Sequence, residues 1–361
     1  MKFVHIADMH FDSPFVNLSD KESLGDLRRL DQRKALKKII EHIKENKIEY
    51  LFISGDLYEQ KYIKKSTIEY INNLFKEIPK TKIFISPGNH DPYIKNSYYY
   101  KFNWNENVKI FSSKIEKVEL NEVDIYGYGF DDFYCKDFNI KELNIENKNK
   151  LNILIVHGTL NGGVTLEHEY NPISKKELEE KEFDYVALGH IHKLDYNTQE
   201  NQKIVYPGST VSLGFDELGK HGMIVGNIEK GSIELKFIPL DDKEFELKEI
   251  DVTNIISKEE LIEEINELKF EENKLIEIIL IGKRNFEINT YELNKLIFNE
   301  KIIKIKNKTK INYNLEKIAN ENTLKGLFAK NIKNKLNDET LTEQEKEIVE
   351  KAVEIAFEAL E

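Results

Sequence analysis

Gly88-Asn89-His90-Asp91 is a glycine turn that directly follows the apolar run Lys82-Ile-Phe-Ile-Ser86. A short apolar run bounded by turn residues is typical of a β-strand that is buried on both faces. Four more polar clusters follow short apolar runs in the same way: Asp8-Met9-His10, Gly55-Asp56, His157-Gly158 and Gly189-His190-Ile191-His192. The sequence therefore predicts an α/β fold in which five buried strands each end in a polar cluster.

The five clusters together predict a metal site. In an open α/β sheet the carboxyl ends of neighbouring strands lie side by side, and ligands bind there. We expect one sheet edge to bring together a mixed set of nitrogen and oxygen donors, namely Asp8, His10, Asp56, Asn89, His90, His157, His190 and His192. A single buried histidine or a Gly-Asp turn usually has a structural role, so the prediction depends on the recurrence of the pattern.

The donor set is large enough for two divalent metal ions. We assign one ion to Asp8, His10 and His192, the other to Asn89, His157 and His190, and the bridging position to Asp56. Two ions about 3.5–4 Å apart activate water and clamp a phosphate group. Histidine, carboxylate and amide donors suit manganese or iron, whereas structural zinc favours thiolates.

Two details of this assignment depend on local geometry. Asp8 and His10 are two residues apart, so on an extended segment both side chains lie on one side. By composition alone, Asp12 and Asp20 are equally suitable ligands. His90 directly follows Asn89 and should point away from the metal that Asn89 binds. We expect His90 to contact the phosphate or protonate the leaving oxygen, with Asp91 orienting it.

The bulk composition limits the class of protein. The 361 residues are 40% hydrophobic and 33% charged, which predicts a soluble chain with two or three domains. No apolar run approaches the roughly 20 residues of a membrane span, and the first residues do not resemble a signal peptide. The single cysteine excludes intrachain disulfides and favours a cytoplasmic protein. A net charge of −12 argues against wrapping nucleic acid with the whole surface, but it allows a local basic groove.

The pattern of predicted elements changes near Pro239-Leu-Asp-Asp242. Before it, the segments 203–206, 222–228 and 232–238 alternate with turns and predict antiparallel strands in a second sheet layer. After it, strands at 245–250, 275–281 and 301–306 alternate with helices that begin near 257 and 290. We interpret this part as a second, small α/β domain.

Two amphipathic helices are predicted at the end of the chain. The first has an apolar stripe formed by Leu324, Leu327, Phe328, Ile332 and Leu336, and the second would bury Ile348, Ala352, Ile355, Ala356 and Ala359. The pattern favours neither packing on their own domain nor docking on a partner. The aromatic segment 97–104 is expected to pack over the sheet rather than stack on nucleobases.

The five clusters resemble the five signatures of the calcineurin-like metallophosphoesterases, over residues 1 to about 240. This resemblance implies a four-layer α/β/β/α sandwich with two facing sheets. Within that superfamily, His5-Ile-Ala-Asp-Met-His-Phe-Asp-Ser-Pro-Phe15 and Tyr206-Pro-Gly-Ser209 are similar to the YhaO-type branch of the SbcD family of DNA-repair nucleases.

The SbcD resemblance implies an activity and partners. Members of that family cleave DNA with two manganese ions, as exonucleases on duplex ends and endonucleases on single strands, and they usually dimerise. They bind an SMC-like ATPase through C-terminal helices. For this chain the resemblance implies a metallophosphoesterase nuclease domain at 1–240, a capping domain at 241–310 and partner-binding C-terminal helices at 311–361. Many relatives have His or Asp where Glu59 stands, and this departure bears on the mode of cleavage.

Three functions are compatible with the sequence. The first is a Mn-dependent DNA nuclease in DNA repair. The second is a small-molecule phosphodiesterase or phosphatase, in which the second domain closes the cleft over mononucleotides. The third is a metal-binding scaffold for an ATPase. The long extension beyond residue 238 favours the nuclease, because a minimal phosphatase does not need it.

Overall fold

The computed structural model describes residues 1–15, 18, 23–135, 138–160, 170–196, 202–337 and 340–359. The chain divides into two compact units, Met1–Phe245 and Glu246–Glu361. In the described part of the chain, no helix is long and apolar enough to cross a membrane.

The first unit contains thirteen strands and four α-helices among its described residues. The strands are β1 (Lys2–Ile6), β2 (Tyr50–Ile53), β3 (Lys82–Ile85), β4 (Val108–Ile110), β5 (Glu116–Glu119), β6 (Val123–Tyr128), β7 (Leu151–His157), β8 (Thr159–Leu160), β9 (Pro172–Ile173), β10 (Tyr185–Gly189), β11 (Ile204–Val205), β12 (Gly222–Glu229) and β13 (Ser232–Pro239). The helices are α1 (Leu24–Asn46), α2 (Lys65–Lys76), α3 (Tyr98–Lys101) and α4 (Lys175–Glu180).

These strands build two large sheets. The first has the order β13-β12-β1-β2-β3-β4, and the second has the order β11-β10-β7-β6-β5. Strands β1 to β4 run parallel to one another, as do β6, β7, β10 and β11. The apolar runs that precede the polar clusters are therefore adjacent parallel strands, β1, β2 and β3 in one sheet and β7 and β10 in the other.

Three layers of apolar side chains hold the first unit together. One lies between the two sheets, where Phe3, Phe52 and Phe84 of the first sheet pack with Ile153 and Tyr185 of the second. Another joins the outer face of the first sheet to α1 and α2. The third covers the outer face of the second sheet and includes Leu178 of α4. This is the expected α/β/β/α sandwich, and the predicted α/β fold class is confirmed.

One prediction about the sheets is wrong. Strands β12 and β13 are antiparallel hairpin partners, but β12 pairs with β1 and so extends the first sheet. The segment predicted at 203–206 forms β11, which instead runs parallel to β10 in the second sheet. An alternating strand pattern identifies a strand but not the sheet edge to which it adds.

The second unit is a small α/β arrangement followed by helices. Its elements are β14 (Glu244–Asp251), α5 (Lys258–Glu267), β15 (Lys274–Ile281), β16 (Lys283–Arg284), α6 (Thr290–Leu296), β17 (Ile302–Asn307), β18 (Lys310–Ile311), α7 (Leu315–Ile318), α8 (Leu324–Leu336) and α9 (Glu343–Ala359). Strands β14, β15 and β17 form one sheet, in that order. Helix α5 begins where it is predicted, near 257, and its first turn is capped by the Ser257 hydroxyl, which accepts the Glu260 N–H at 3.2 Å.

The predicted buried face of the last helix is wrong. Among the side chains of α9 that the structure describes, Val349, Val353 and Phe357 are buried, whereas Ile348 and Ile355 are exposed. Phe357 is the anchor of this contact, because its ring lies 4.5 Å from that of Tyr313 and 5.8 Å from that of Phe328. A large aromatic side chain at one position outweighs several alanines one position away.

Candidate metal centre

The five polar clusters meet at one place in the first unit, but they come from two sheets. The clusters of Asp8, Asp56 and Asn89 follow β1, β2 and β3 of the first sheet, and those of His157 and His190 end or follow β7 and β10 of the second. The expectation that a single sheet edge gathers all the donors is therefore wrong. The carboxyl ends of two facing sheets form the site.

Two glycines allow the loops of the two sheets to approach each other. A Cβ atom added to Gly189 would lie 1.8 Å from the backbone oxygen of Ser54, so no side chain fits there. Gly55 has a φ of 88°, and an added Cβ would lie 2.3 Å from Nδ1 of His157. Gly189 is needed because the backbone of the other sheet comes so close. Gly55 is needed for close approach and also for its left-handed conformation.

Several donors have left-handed backbone conformations. The φ angles are 51° at Asp8, 47° at His10, 52° at Asp56 and 103° at His190. Such conformations are uncommon for residues other than glycine, and they cluster at functional sites, where the surrounding structure holds them in place. Asp8 and His10 therefore do not lie on the extended segment that we expected. The direction of their side chains is set by local turns and not by the alternation of a strand.

The first donor group contains Asp8, His10 and His192. The Nε2 atoms of the two histidines lie 3.1 Å apart, and Nε2 of His192 lies 3.9 Å from Oδ1 of Asp8. Asp8 and His10 are buried, and His192 is partly buried. These are the residues that the sequence assigns to one ion, and the structure brings them together.

The second donor group contains Asp56, His157 and His190, with Asn89 between the two histidines. Oδ1 of Asn89 lies 3.0 Å from Nε2 of His157 and 3.2 Å from Nδ1 of His190. Oδ2 of Asp56 lies 3.3 Å from Nε2 of His157 and 3.8 Å from Nε2 of His10. One carboxylate oxygen therefore faces both donor groups, which is the arrangement that a bridging ligand needs.

The protonation of the rings fits metal binding. Nδ1 of His10 lies 2.8 Å from a Glu59 oxygen, Nδ1 of His157 lies 2.8 Å from the Ser54 carbonyl oxygen, and Nδ1 of His192 contacts Glu217. Each of these oxygens is an acceptor, so Nδ1 carries the hydrogen and Nε2 is left to face the other donors. Buried lone pairs 3–4 Å apart repel one another unless a cation lies between them. That spacing is close to the separation of donor atoms that share one ion at about 2.1 Å.

The pKa shifts of these side chains agree with a site that binds cations. Burial lowers the pKa of His157, but the charge of Asp56 outweighs burial and raises the pKa to about 9. Burial raises the pKa of Asp56, yet the neighbouring His157 and His10 hold it well below its usual value. Burial and the positive charge of His157 lower the pKa of His190 to about 3, so this ring is a neutral ligand. In metal-free protein, rings with a raised pKa such as His157 would therefore hold protons where cations would otherwise bind.

His90 lies at the rim of the donor groups, and 44% of its side chain is exposed. Its Nδ1 lies 3.0 Å from Oε2 of Glu59, whose other oxygen contacts His10. Burial opposes protonation of His90, but the Glu59 carboxylate raises its pKa to about 9. Glu59 therefore holds a candidate ligand and the exposed histidine in fixed orientations.

The role expected for Asp91 needs correction. Its carboxylate accepts hydrogen bonds from the N–H groups of Asp56, Gly88 and Leu57, at 3.0, 2.7 and 2.6 Å, and from the hydroxyl of Tyr99 at 2.6 Å. None of these partners is the ring of His90. Asp91 ties the loop after β2 to the loop after β3, and so it positions Asp56 and Asn89 rather than orienting His90.

Comparison with known proteins agrees with the geometry. Residues 1–194 match the family described as calcineurin-like phosphoesterase. The chain belongs to this family. The resemblance noted in the sequence is thereby confirmed, and the chain is a phosphoesterase of a family that uses divalent metal ions.

Two relatives of the phosphoesterase extend the match beyond residue 194. The chain is 31% identical over 298 residues to the SbcD polypeptide of the nuclease SbcCD from Staphylococcus epidermidis, covering 72% of this chain and 75% of that protein. It is 26% identical over 262 residues to the uncharacterized metallophosphoesterase YhaO of Bacillus subtilis, covering 70% of this chain and 64% of that protein. The match thus spans somewhat less than two thirds of the Bacillus protein.

The sequence did not identify Glu217 as a residue of the phosphoesterase site. Oε1 of Glu217 contacts Nδ1 of His192, and Oε2 accepts hydrogen bonds from the Ser209 hydroxyl at 2.9 Å and the Leu213 N–H at 3.0 Å. Ser209 in turn donates its N–H to the carbonyl oxygen of His192 at 3.0 Å. The segment that ends at Ser209 is therefore part of the site, and Glu217 fixes the orientation of His192.

The alternative ligand Asp12 has other partners. Its carboxylate accepts hydrogen bonds from the Thr67 hydroxyl at 2.7 Å and the Lys64 N–H at 3.0 Å, and it pairs with Arg33 at 3.1 Å. Asp12 thus anchors the start of α2 rather than joining a donor group. Asp20 lies outside the described residues.

Proposed function

We propose that this phosphoesterase is a two-metal, Mn²⁺-dependent nuclease that hydrolyses phosphodiester bonds of DNA. The observation that carries the two-metal part is the position of Asp56 Oδ2, which faces Nε2 of His10 and Nε2 of His157 at once. The DNA part rests on the similarity to the Staphylococcus nuclease polypeptide. The metal set is Asp8, His10, Asp56, Asn89, His157, His190 and His192.

Glu59 and His90 are proposed to act together on the substrate: Glu59 orients the His90 ring, and His90 supplies a proton. When bound, two divalent cations provide a nucleophile from water at neutral pH and neutralise charge on the phosphate. Glu59 accepts the Nδ1 hydrogen of His90, so Nε2 is the nitrogen of this exposed ring that a substrate meets. The Glu59 carboxylate raises the pKa of His90 and so favours a protonated ring, whose Nε2 is placed to donate to a phosphate oxygen or to the leaving oxygen.

Manganese is the proposed metal, with iron as the other candidate. Three carboxylate or amide oxygens and four imidazole nitrogens make up the donor set, and the only cysteine, Cys135, is buried beside Tyr128. Oxygen and imidazole donors suit Mn²⁺ and Fe. Asn89 adds an oxygen without adding negative charge next to the phosphate.

The second unit is proposed to carry the partner contacts. Within the described residues of α8 and α9, Leu324, Leu327, Ile348 and Ile355 are exposed apolar side chains. Exposed apolar side chains on amphipathic helices are typical of helix docking surfaces. We assign residues 1–240 to the nuclease domain, 241–310 to a capping domain and 311–361 to helices that bind an SMC-like ATPase. We also assign a homodimeric state.

Digestion of labelled DNA tests the proposal. The native chain with Mn²⁺ should degrade linear duplexes labelled at the 5′ or 3′ end, and the order of product lengths gives the polarity. Asp56→Asn should abolish cleavage, because it weakens both donor groups. The exposed Asp216→Asn is the matched control and should cleave normally. His90→Ala should lower kcat by about 10²–10⁴-fold while both metal ions still bind.

Two other results would contradict the nuclease proposal. Turnover of bis-p-nitrophenyl phosphate or cyclic nucleotides without any DNA cleavage would identify a small-molecule phosphodiesterase. Blank results in both assays, with two metal ions bound, would identify a metal-binding scaffold.

A further inference from the structure

A row of aromatic rings leads from the metal centre to the protein surface. The ring centroids of His157 and His190 lie 5.1 Å apart, and those of His190 and Tyr170 lie 5.2 Å apart. Tyr134 stacks on Tyr170 with a centroid distance of 5.5 Å and an interplanar angle of 20°. At its outer end, 77% of Tyr134 is exposed.

Backbone hydrogen bonds hold the two tyrosines in place. The N–H of Asn171 donates to the carbonyl oxygen of Cys135 at 2.8 Å, which ties together the residues that follow each tyrosine. The N–H of Thr159 donates to the carbonyl oxygen of Tyr170 at 3.1 Å. The side-chain amide of the buried Asn171 donates to the carbonyl oxygen of His157 at 2.8 Å. The pair is therefore anchored directly to the end of β7.

Core packing does not account for Tyr134. In the aromatic segment 97–104, Tyr99 is buried against Tyr58 and Trp104 packs against Phe75, as predicted, whereas Tyr100 is exposed. Tyr134 instead covers one face of Tyr170 and is otherwise largely open to solvent. An exposed aromatic face near a phosphoester centre is suited to a flat ring carried by the substrate.

We propose that Tyr134 and Tyr170 form a stacking platform for a nucleobase next to the phosphodiester that is cleaved. This inference rests on the proposed nuclease function and names how its substrate is held. Two ring-to-ring steps, of 5.2 and 5.5 Å, separate Tyr134 from His190. Since stacked nucleotides of one strand rise about 3.4 Å each, the platform lies within about three nucleotides of a phosphate at His190. Every base has an aromatic face, so this binding tolerates any sequence.

Abasic scanning tests the platform. The substrates are single-stranded oligonucleotides in which one abasic site is moved stepwise past the cleaved bond, with Mn²⁺ and the full chain. In the native protein, an abasic site at one or two positions should raise KM by about 5- to 100-fold, the loss of one stacked base, with little change in kcat. Tyr134→Ala should raise KM for the intact strand by a similar factor and should remove the sensitivity to the abasic site.

Matched variants separate stacking from a general structural effect. Tyr134→Phe and Tyr134→Trp keep an aromatic face and should retain both the low KM and the sensitivity to the abasic site. Tyr100→Ala removes another exposed tyrosine, whose ring contacts Tyr93, and should change neither. The kcat for bis-p-nitrophenyl phosphate should be the same in Tyr100→Ala as in the native protein, because Tyr100 belongs to neither the platform nor the metal centre.

The outcomes also distinguish the platform from the nuclease function. The platform would be overturned, and the nuclease function kept, by either of two results. One is a KM increase at particular abasic positions that persists in Tyr134→Ala. The other is a KM that does not depend on the abasic position in the native protein. An equal increase in KM in Tyr134→Ala and Tyr134→Phe would also overturn the platform. Hydrolysis of bis-p-nitrophenyl phosphate with no cleavage of any oligonucleotide would overturn the nuclease function and, with it, the nucleobase as occupant.

Discussion

Oε2 of Glu59 lies 3.0 Å from Nδ1 of His90. The same carboxylate uses its other oxygen to hold Nδ1 of His10 at 2.8 Å. One acidic side chain thus sets the orientation of an exposed histidine and of a buried metal-ligand candidate. The pKa of Glu59 reflects these contacts. Burial raises it, but hydrogen bonds to the rings of His10 and His90 outweigh burial and lower it to about 2.

Replacement of Glu59 should change the titration of His90. Burial lowers the pKa of His90, but Glu59, with help from Asp56 and Asp91, raises it to about 9, so Glu59→Gln should bring it down toward the ordinary value of 6.5. The ring would then lose its proton at neutral pH. NMR titration of the His90 ring in metal-free protein measures this shift. Glu69→Gln, at an exposed position of α2, is the control and should leave the titration unchanged. An unaltered pKa in Glu59→Gln would contradict the contact.

Glu217 should control the affinity for one metal ion. It holds Nδ1 of His192, and loss of such an outer partner typically weakens metal affinity by about 10- to 100-fold. In Glu217→Gln, calorimetric titration with Mn²⁺ should therefore show one weakened site and one unchanged site. The neighbouring, exposed Asp216→Asn should bind as the native chain does. Equal weakening of both sites would argue that Glu217 only supports the fold.

Gly189 should tolerate no side chain. A Cβ at this position would meet the backbone oxygen of Ser54 at 1.8 Å, so Gly189→Ala must push the two sheets apart at the site. We expect a loss of at least about 1–3 kcal/mol in the free energy of unfolding, the usual cost of overpacking, together with weaker metal binding. Urea unfolding measures the first effect. Gly214→Ala, where no atom lies within 4 Å of the added Cβ, should cost far less.

Metal removal should make stability depend on alkaline pH. The pKa of His157 is raised from 6.5 to about 9 in the folded protein, so its interaction with Asp56 stabilises the metal-free fold fully below pH 6.5. That contribution is lost as the pH rises through 9. Melting temperatures of chelator-treated protein should therefore fall between pH 6.5 and pH 9.5, relative to a His157→Gln variant. With excess Mn²⁺ the fall should shrink, because cations replace the protons.

Much of the site could be predicted because its ligands follow strand ends. A buried apolar run indicates a strand, and parallel strands bring their carboxyl ends together, so Asp8, Asp56 and Asn89 could be expected to meet. Glu217 could not be found in this way, because it reaches His192 only through the closure of the loop after Ser209. A lone acidic residue in a loop has no spacing that distinguishes it from a solvated one.

The errors have similar physical causes. The predicted buried face of α9 contains Ala352 and Ala356, whereas the observed one contains Val349, Val353 and Phe357. The two faces are related by a rotation of about one residue around the helix axis, which the apolar pattern does not resolve. Strands β12 and β13 were assigned to the wrong sheet because hydrogen-bonding edges carry no residue-type signal. The role of Asp91 was missed because its partners are mostly backbone N–H groups, which every sequence offers.

Three ligand-bearing loops follow the first sheet of the sandwich, and two follow the second. Bound cations would therefore cross-link the two layers at their carboxyl ends, in addition to their chemical role.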